Sequence, residues 1–201
     1  MIGRKWKHSD FVDTAVQIAP RLLGQYMVHV TPTMTYVGRI VETEAYGGTY
    51  EGLIDDGSHA CRGMTKRNEP MFRPGGVSYV YLIYGMYHCF NVVTGPKGDG
   101  QAVLIRAVEP VEGLSAMLAN RHMKKWKKTV TNGPGKLCQA MDITRDQNGI
   151  DLCGEELYIV RPAQYEAFTI ATSPRININY AEQGKSFPWR FYITPNDYVS
   201  T

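Results

Sequence analysis

The chain has 201 residues, of which 43% are apolar and 20% are charged, and its formal net charge is +3. This composition is typical of a single folded domain, here residues 1–201, and excludes an intrinsically disordered chain. It also excludes a protein that coats acidic polymers by charge alone. We expect a cytoplasmic protein with reduced cysteines, because the sequence starts with a charged stretch and contains no apolar run of roughly 18–20 residues. No signal peptide and no membrane contact are expected.

The predicted elements alternate runs of strands with single helices. Ser9 is the expected N-cap of the first helix, which Pro20 and Gly24 limit at its far end. In chain order there follow strands at 25–31 and 35–46, a Gly-rich polar loop at 47–76, a hairpin at 77–94, a strand at 101–109, helices at 113–126 and 135–141, and strands at 156–161, 174–180 and 189–194. A loop of roughly thirty residues indicates a function. Because no βαβ period repeats, the order favours an α+β fold.

Two carboxylates lie two positions apart on the strand at 35–46. Side chains alternate across a strand, so Ile40, Glu42, Glu44 and Tyr46 are predicted to share one face. The two carboxylates are then roughly 6.5–7 Å apart. On a solvated face they form an ordinary polar surface, whereas in a cleft their repulsion leaves one of them as a base.

Arg106 is a charged residue inside the otherwise apolar strand at 101–109. A buried Arg is costly unless a carboxylate pairs with it, and Glu42 or Glu44 is the natural partner. The pair is either a plain salt bridge or the means by which a catalytic Glu is held ionised.

The loop at 47–76 contains side chains that could bind ions. Asp55, Asp56 and His59 suggest a metal, but the five His of the chain are scattered singly and no second His lies at ligand spacing. We therefore expect no metal site. Three basic side chains are typical of contacts to phosphate or to a capped turn: Arg62, Lys66 and Arg67.

The predicted hairpin contains four Tyr within nine residues, at 79, 81, 84 and 87. Tyr79 and Tyr81 share a face, and Tyr79 is expected in the core. Tyr84 lies at the tip, where an exposed ring beside Gly85 is a candidate wedge or stacking platform. Asn91 on the return strand is either a satisfied buried amide or a selectivity contact.

A basic run at 121–128 places five Lys or Arg around Trp126. It is either a helix end favoured by the macrodipole or a contact to a phosphate backbone. The sequence has no P-loop, no dinucleotide fingerprint and no Ser nucleophile elbow, so nucleotide hydrolysis and hydride transfer have no support.

Several blocks, in order from about residue 10 to 195, resemble the alkyladenine (3-methyladenine) DNA glycosylase family. The blocks are Arg39–Tyr46, Ser58–Ala60 with Arg67-Asn68, Tyr79–Tyr87 with Asn91, Val103–Pro110 and Gly133–Ala140. The resemblance implies one α+β domain around a curved, mainly antiparallel sheet flanked by helices, with a protruding hairpin. Residues 47–57 and Met64 depart from the family pattern, which affects the expected substrate range and phosphate contacts.

The resemblance also implies a function: hydrolysis of the N-glycosidic bond of alkylated or deaminated purines, such as 3-methyladenine, 7-methylguanine and hypoxanthine, flipped out of duplex DNA. Glu44 would match the general base and Arg106 its basic partner. Other positions would match the base pocket (Tyr46, His59, Tyr81, Asn91 and Ile176), the intercalating wedge (Tyr84) and contacts to the DNA backbone (Arg67, Met86, Tyr87 and Lys136). Because the catalytic blocks contain no Lys, a monofunctional enzyme is expected. We expect it to need no cofactor, to act as a monomer and to initiate base excision repair.

Two other functions fit part of the pattern. Glu42 and Glu44 have the spacing of an inverting O-glycoside hydrolase pair, although this leaves the basic run and the Tyr at the hairpin tip unexplained. A minor-groove module that only binds lesions would differ from a glycosylase in releasing no free base.

Overall fold

A computed structural model describes residues 2–200, and their strands form one sheet of nine strands and a second of two. The strands are β1 Ile2–Lys5, β2 Tyr26–Val30, β3 Thr35–Tyr46, β4 Thr49–Tyr50, β5 Leu53–Ile54, β6 Ser78–Ile83, β7 Tyr87–Thr94, β8 Gln101–Glu112, β9 Leu157–Pro162, β10 Thr169–Ser173 and β11 Arg190–Thr194. The helices are α1 Ala15–Leu22, α2 Leu114–Asn120 and α3 Pro134–Ala140, with short 3-10 turns between elements. None of the helices within residues 2–200 has the length and apolarity that crossing a membrane requires.

The large sheet is antiparallel throughout. Its order is β1-β9-β2-β3-β8-β7-β6, and β11, which also pairs with β10, joins the second half of β3. The central strand β3 therefore has β8 along one edge and β2 followed by β11 along the other. This architecture confirms the predicted α+β fold with a mainly antiparallel sheet.

The pairing of β3 with β8 has three register irregularities, and two of them lie next to each other. Between Ile40 and Glu42, β3 has one residue more than β8, and immediately afterwards β8 has one residue more, which is Arg106. Bulges bend strands and change the direction of side chains. The predicted common face is therefore wrong for Ile40, which packs in the main hydrophobic core, while Arg106 and Glu42 form an ion pair.

The sheet contributes to two main apolar clusters. The larger one joins it to α1, α2 and α3 and includes Phe11, Ile18, Leu22, Phe90, Met117 and Leu137. The smaller one joins the segment before β6 to the sheet and includes Met71, Tyr79, Val93 and Ala102. Tyr79 is only 1% exposed, which confirms its predicted place in the core.

Two predicted helix boundaries are wrong. α1 begins at Ala15 rather than near Ser9, because the Thr14 hydroxyl accepts from the Gln17 amide and caps the helix. α2 ends at Asn120 rather than at 126. Two positions after Asn120, His122 adopts a left-handed φ of 53°, which stops the helix.

The predicted strand at 174–180 is also wrong, because the strand in this region is β10, which ends at Ser173. The Arg175 side chain after it is buried and donates to Asp55 and to two backbone carbonyls, so these residues form an irregular loop. The short strands β1, β4 and β5 were not predicted, because two- and four-residue strands carry too little alternation to be recognised.

The predicted hairpin is confirmed, with β6 and β7 joined at Tyr84–Met86. Tyr84 and Gly85 have positive φ values of 53° and 70°, which produce the tight reversal. The hairpin is braced by α3, since a Cβ on Gly135 would lie 3.0 Å from the Tyr87 Cβ. Glycine at this position thus allows the helix to approach the base of the hairpin closely.

Candidate active site

Glu44 lies near the end of β3 and is fully buried. Its Oε1 accepts from the Ile176 backbone N–H at 2.7 Å, and its Oε2 accepts from the Tyr46 hydroxyl at 2.8 Å and from Arg106 Nη1 at 3.2 Å. A carboxylate offers about four acceptor positions. The three donors therefore hold Glu44 in place and leave about one position for a further donor.

Glu42 is equally buried but has more partners. Its Oε1 accepts from Arg106 Nε at 2.9 Å, Arg190 Nε at 2.7 Å and the Ser200 hydroxyl at 2.8 Å, and its Oε2 accepts from the Ser200 backbone N–H at 2.7 Å. Three of these donors converge on Oε1 and one binds Oε2, so Glu42 has one donor more than Glu44. Arg106 pairs with both carboxylates rather than with one of them.

Protonation states around Glu44 follow from burial and charge. Burial works against the charge of Arg106, but Glu44 and Glu42 outweigh it and raise the pKa of the guanidinium. Burial and the charge of Glu44 raise the pKa of Tyr46 well above its usual value, although Arg175 opposes the shift. Arg106 therefore stays charged and the Tyr46 hydroxyl stays protonated, so both donate to Glu44.

The Tyr46 ring rests on a second buried ion pair. The Arg175 guanidinium lies 4.5 Å from the ring centroid and donates to both oxygens of Asp55. The pair holds the ring from behind and links it to the loop that the sequence marked as functional. Arg175 was missed as a site residue, because a single Arg after a Pro carries no pattern that separates it from a surface charge.

An aromatic pocket of about 240 Å³ opens in front of Tyr46. Six of the predicted site residues line it: Tyr46, His59, Arg67, Tyr81, Tyr84 and Asn91. Further lining residues that the sequence did not single out are Met71, Leu82, Ile83, Asn177, Ile178 and Tyr180. Ile176 adjoins the site through its backbone N–H on Glu44.

The rings of this pocket are held by polar contacts at their edges. His59 Nδ1 lies 3.0 Å from the Tyr79 hydroxyl, and the His59 ring meets Tyr81 edge-on with 4.6 Å between centroids. Burial and the positive charge of Arg67 lower the pKa of His59, so the imidazole is neutral near pH 7. Asn68 Nδ2 donates to the His59 carbonyl at 2.7 Å and holds the backbone of this loop. The result is a slot with aromatic walls that suits a flat ring.

Asn91 is the satisfied buried amide that the sequence offered as one alternative, and it also lines the pocket. It is buried on β7, and its Nδ2 donates to the Tyr79 carbonyl at 2.9 Å. It also lines the pocket, and within residues 2–200 no hydrogen bond uses its Oδ1. The amide is therefore satisfied on its nitrogen while its oxygen can contact a bound ring.

The hairpin tip projects from the rim of this pocket. Tyr84 is 75% exposed and Met86 is 66% exposed. Tyr87, also exposed, and Met86 line a neighbouring groove against α2 and α3. The remaining predicted backbone contact, Lys136, is half-buried on α3 and donates to Asn132 Oδ1 at 2.9 Å. Met86, Tyr87 and Lys136 therefore lie beside the aromatic pocket, whereas Tyr84 lines it.

The basic run at 121–128 is irregular and largely exposed. It follows α2 instead of forming its last turns, so the predicted helix end stabilised by the macrodipole is wrong. Lys128 pairs with Asp197, and Arg121 donates to the Val130 carbonyl. The other Lys of the run are exposed to solvent.

Asp55 and Asp56, the two acids that the sequence analysis considered as metal ligands, have other partners. Asp55 pairs with Arg175, and Asp56 accepts from the backbone N–H groups of residues 182–184. Elsewhere in the described chain, His8, Asp151 and Cys153 bring possible ligand atoms within 4.8 Å of one another. None of these three lines the aromatic pocket.

Comparison with known proteins agrees with this geometry. The methylpurine-DNA glycosylase family model matches residues 9–197. The chain is 44% identical to a Desulfitobacterium hafniense protein over 99% of its own length and 98% of the relative's. It is 47% identical to an Alkaliphilus oremlandii protein over 92% and 93%, and 46% identical to a Clostridium tetani protein over 98% and 98%. Each of the three relatives is named "Putative 3-methyladenine DNA glycosylase".

Proposed function

The chain belongs to the methylpurine-DNA glycosylase family, and on this premise we propose that it is a monofunctional DNA glycosylase whose single domain spans the whole chain. It hydrolyses the N-glycosidic bond of alkylated or deaminated purines flipped out of duplex DNA. The observation that carries the proposal is the juxtaposition of a buried Glu44, paired with Arg106, and an aromatic slot whose wall residue Tyr46 donates to Glu44.

Glu44 acts as the general base. Its remaining acceptor position takes a water, which it orients toward the anomeric carbon and from which it accepts a proton as the bond to the base breaks. The transition state has oxocarbenium character, so a nearby carboxylate also opposes the positive charge of the sugar. Arg106 keeps Glu44 ionised and fixes its orientation through the bond from Nη1.

The extruded base lies between Tyr46, His59 and Tyr81. An alkylated purine such as 3-methyladenine or 7-methylguanine is positively charged, and a cation is attracted to the faces of aromatic rings. A neutral His59 adds no repulsion to this cation. Such bases leave without protonation, whereas hypoxanthine needs an acid in addition. Asn91 disfavours the exocyclic amine of normal guanine.

The hairpin tip engages the duplex. Tyr84 enters the minor groove and fills the space that the flipped nucleotide leaves. Arg67, Met86, Tyr87 and Lys136 contact the DNA backbone around it. We propose that the enzyme works as a monomer in the cytoplasm, on the nucleoid, where it initiates base excision repair.

Water, rather than the protein, is the nucleophile. No Lys lines the pocket within residues 2–200, so no side-chain amine there is suited to forming a Schiff base with the sugar. The alternative of an O-glycoside hydrolase requires Glu42 as a second working carboxylate, whereas Arg106, Arg190 and Ser200 already bind it through four donors.

The test is incubation with duplexes that each carry one lesion, followed by analysis of the free base and of strand breaks before and after alkali. We expect free 3-methyladenine, 7-methylguanine and hypoxanthine, with breaks that appear only after alkali. An undamaged duplex and the Glu44→Gln variant are the controls. Tight binding of a lesion without any free base would contradict the proposal and favour a lesion-binding module.

A further inference from the structure

The guanidinium of Arg106 is shared among three partners. Nε donates to Glu42 at 2.9 Å, Nη1 donates to Glu44 at 3.2 Å and Nη2 donates to the Ser200 hydroxyl at 3.2 Å. A planar fork with a partner on each nitrogen has little freedom to rotate. The direction of its bond to Glu44 therefore depends on what holds the other two nitrogens.

Arg190 on β11 is the second cation of this network. Its Cα lies opposite Glu44 in the register of β11 with β3, yet its side chain reaches Glu42, where Nε donates to Oε1 at 2.7 Å. Its other nitrogens donate to the Ser173 hydroxyl at 3.1 Å and to the Ser200 carbonyl at 2.8 Å. Arg190 thus binds both Glu42 and the residue that caps Glu42.

The charges of the network balance only if Arg190 is counted. Two buried carboxylates, Glu42 and Glu44, face two guanidiniums, Arg106 and Arg190. A buried ion without a partner is strongly destabilising. If Arg190 lost its charge, both carboxylates would compete for Arg106, and one would be protonated more easily or lose its bond to the guanidinium.

We propose that Arg190 and Ser200 are positioning residues, which satisfy Glu42 and thereby leave Arg106 free to orient Glu44. The inference rests on the proposed function, since it assumes that Glu44 is the base. Neither residue lines the aromatic pocket, so their effect reaches the reaction only through Glu42 and Arg106.

The other groups near Glu44 do not supply a charge that could replace that of Arg190. Tyr46 on the same strand is neutral, and burial raises the pKa of the Cys89 thiol on β7 to about 11, so it is neutral as well. Arg175, from the loop after β10, is already paired with Asp55. Arg106 and Arg190 are therefore the cations that pair with the two carboxylates.

The test compares Arg190→Met, which removes the charge, with Arg190→Lys, which keeps it. Single-turnover base release is measured from pH 5 to 9, together with the affinity for lesion duplex. We expect Arg190→Met to lower the rate by up to about 100-fold with unchanged affinity, because a displaced catalytic group loses about that much. The acid limb of its profile should move up by about one pH unit, since losing a nearby opposite charge makes protonation easier.

Arg190→Lys should keep the acid limb of the wild type and recover part of the rate. The matched control is Arg161→Met, which removes another partly buried strand Arg, paired with Asp10, and should leave the acid limb unchanged. Ser200→Ala should lower the rate less than Arg190→Met does, and Ser200→Thr, which keeps the hydroxyl, should restore it. An acid limb in Arg190→Met that equals those of Arg161→Met and wild type would overturn the proposal.

A second measurement separates this proposal from the proposed function. In protein labelled with ¹³C at the Glu side-chain carboxyl, the NMR titrations of Glu42 and Glu44 are assigned with Glu42→Gln and Glu44→Gln. We expect one of the two carboxyls to take up its proton at a higher pH in Arg190→Met than in wild type. An absence of base release in wild type would defeat the proposed function alone, whereas identical NMR titrations would defeat the positioning role alone. If Arg190→Met does not fold, Ser200→Ala and Arg190→Lys decide the question by the same readouts.

Discussion

The buried charged network and the exposed hairpin tip both adjoin the aromatic pocket, through Tyr46 and Tyr84, and are built in opposite ways. In the network, which consists of Glu42, Glu44, Arg106 and Arg190, every charge has a partner from a distant part of the chain. The hairpin tip, Tyr84–Met86, is exposed, and a Cβ added to Gly85 would meet no atom within 4 Å.

The difference indicates what each region needs. Removing ions from water costs several kcal/mol per ion and is tolerated only with good geometry and additional hydrogen bonds. The network meets that condition, so its side chains are already held in place before a substrate binds. The exposed tip contributes nothing to the core, so its side chains are available for the DNA contact proposed above.

The largest expected effect is the loss of base release in Glu44→Gln. The amide keeps the shape of the side chain but cannot accept a proton from water, so the single-turnover rate should fall by about 10²–10⁴-fold. Binding of lesion duplex should stay within a few-fold, as measured by fluorescence anisotropy. Glu42→Gln, the neighbouring control, should cost less activity, and the reverse ranking would assign the base to Glu42.

The second prediction concerns the buried pair behind Tyr46. Asp55→Asn leaves Arg175 buried without a counter-ion, so the free energy of unfolding should fall by about 3–5 kcal/mol in a urea titration. Asp13→Asn removes the partner of Arg21 on the surface and should cost less than about 1 kcal/mol. Equal losses would mean that the interior pair adds no more than an exposed one.

The third prediction concerns the hairpin tip, where we expect a small effect on stability and a large one on base flipping. Tyr84→Ala should change the free energy of unfolding by less than about 0.5 kcal/mol, because the ring is exposed. It should weaken base flipping by up to a few kcal/mol, the cost of unstacking that the ring offsets. A fluorescent lesion placed in a stable pair and opposite a gap measures flipping in both contexts. The loss should be larger in the stable pair, and equal losses would remove the wedge role.

The smallest expected effect concerns selectivity. Asn91→Ser shortens the amide on the pocket wall, which leaves room for the exocyclic amine of guanine. The ratio of normal guanine release to damaged adenine release should rise by about tenfold, the usual scale for a small change in a pocket contact. Competition between the two bases in one reaction gives the ratio directly. An unchanged ratio would limit Asn91 to its structural bond with the Tyr79 carbonyl.

Local sequence predicted several elements well and others poorly. The hairpin and the long strand β3 were found because their alternation and their turn residues act over short distances. The end of α2 was not predicted correctly, because the basic residues after it continue a helical composition. The position of β10 was not predicted either, because this strand is formed through its pairing with β11.

The sequence by itself determined the α+β class, the Glu-Thr-Glu block, the tip at Tyr84 and the family resemblance. Only the tertiary structure decided that Glu42 is bound by four donors, two of them from Ser200, and Glu44 by three. In the sequence, Glu42 and Glu44 are equivalent acids on one strand. In the structure, Ser200 donates twice to Glu42 from 158 positions away, and Ile176 donates once to Glu44 from 132 positions away. Such partners depend on how β11 and its neighbouring loops dock on β3, and no local pattern of residue types encodes that contact.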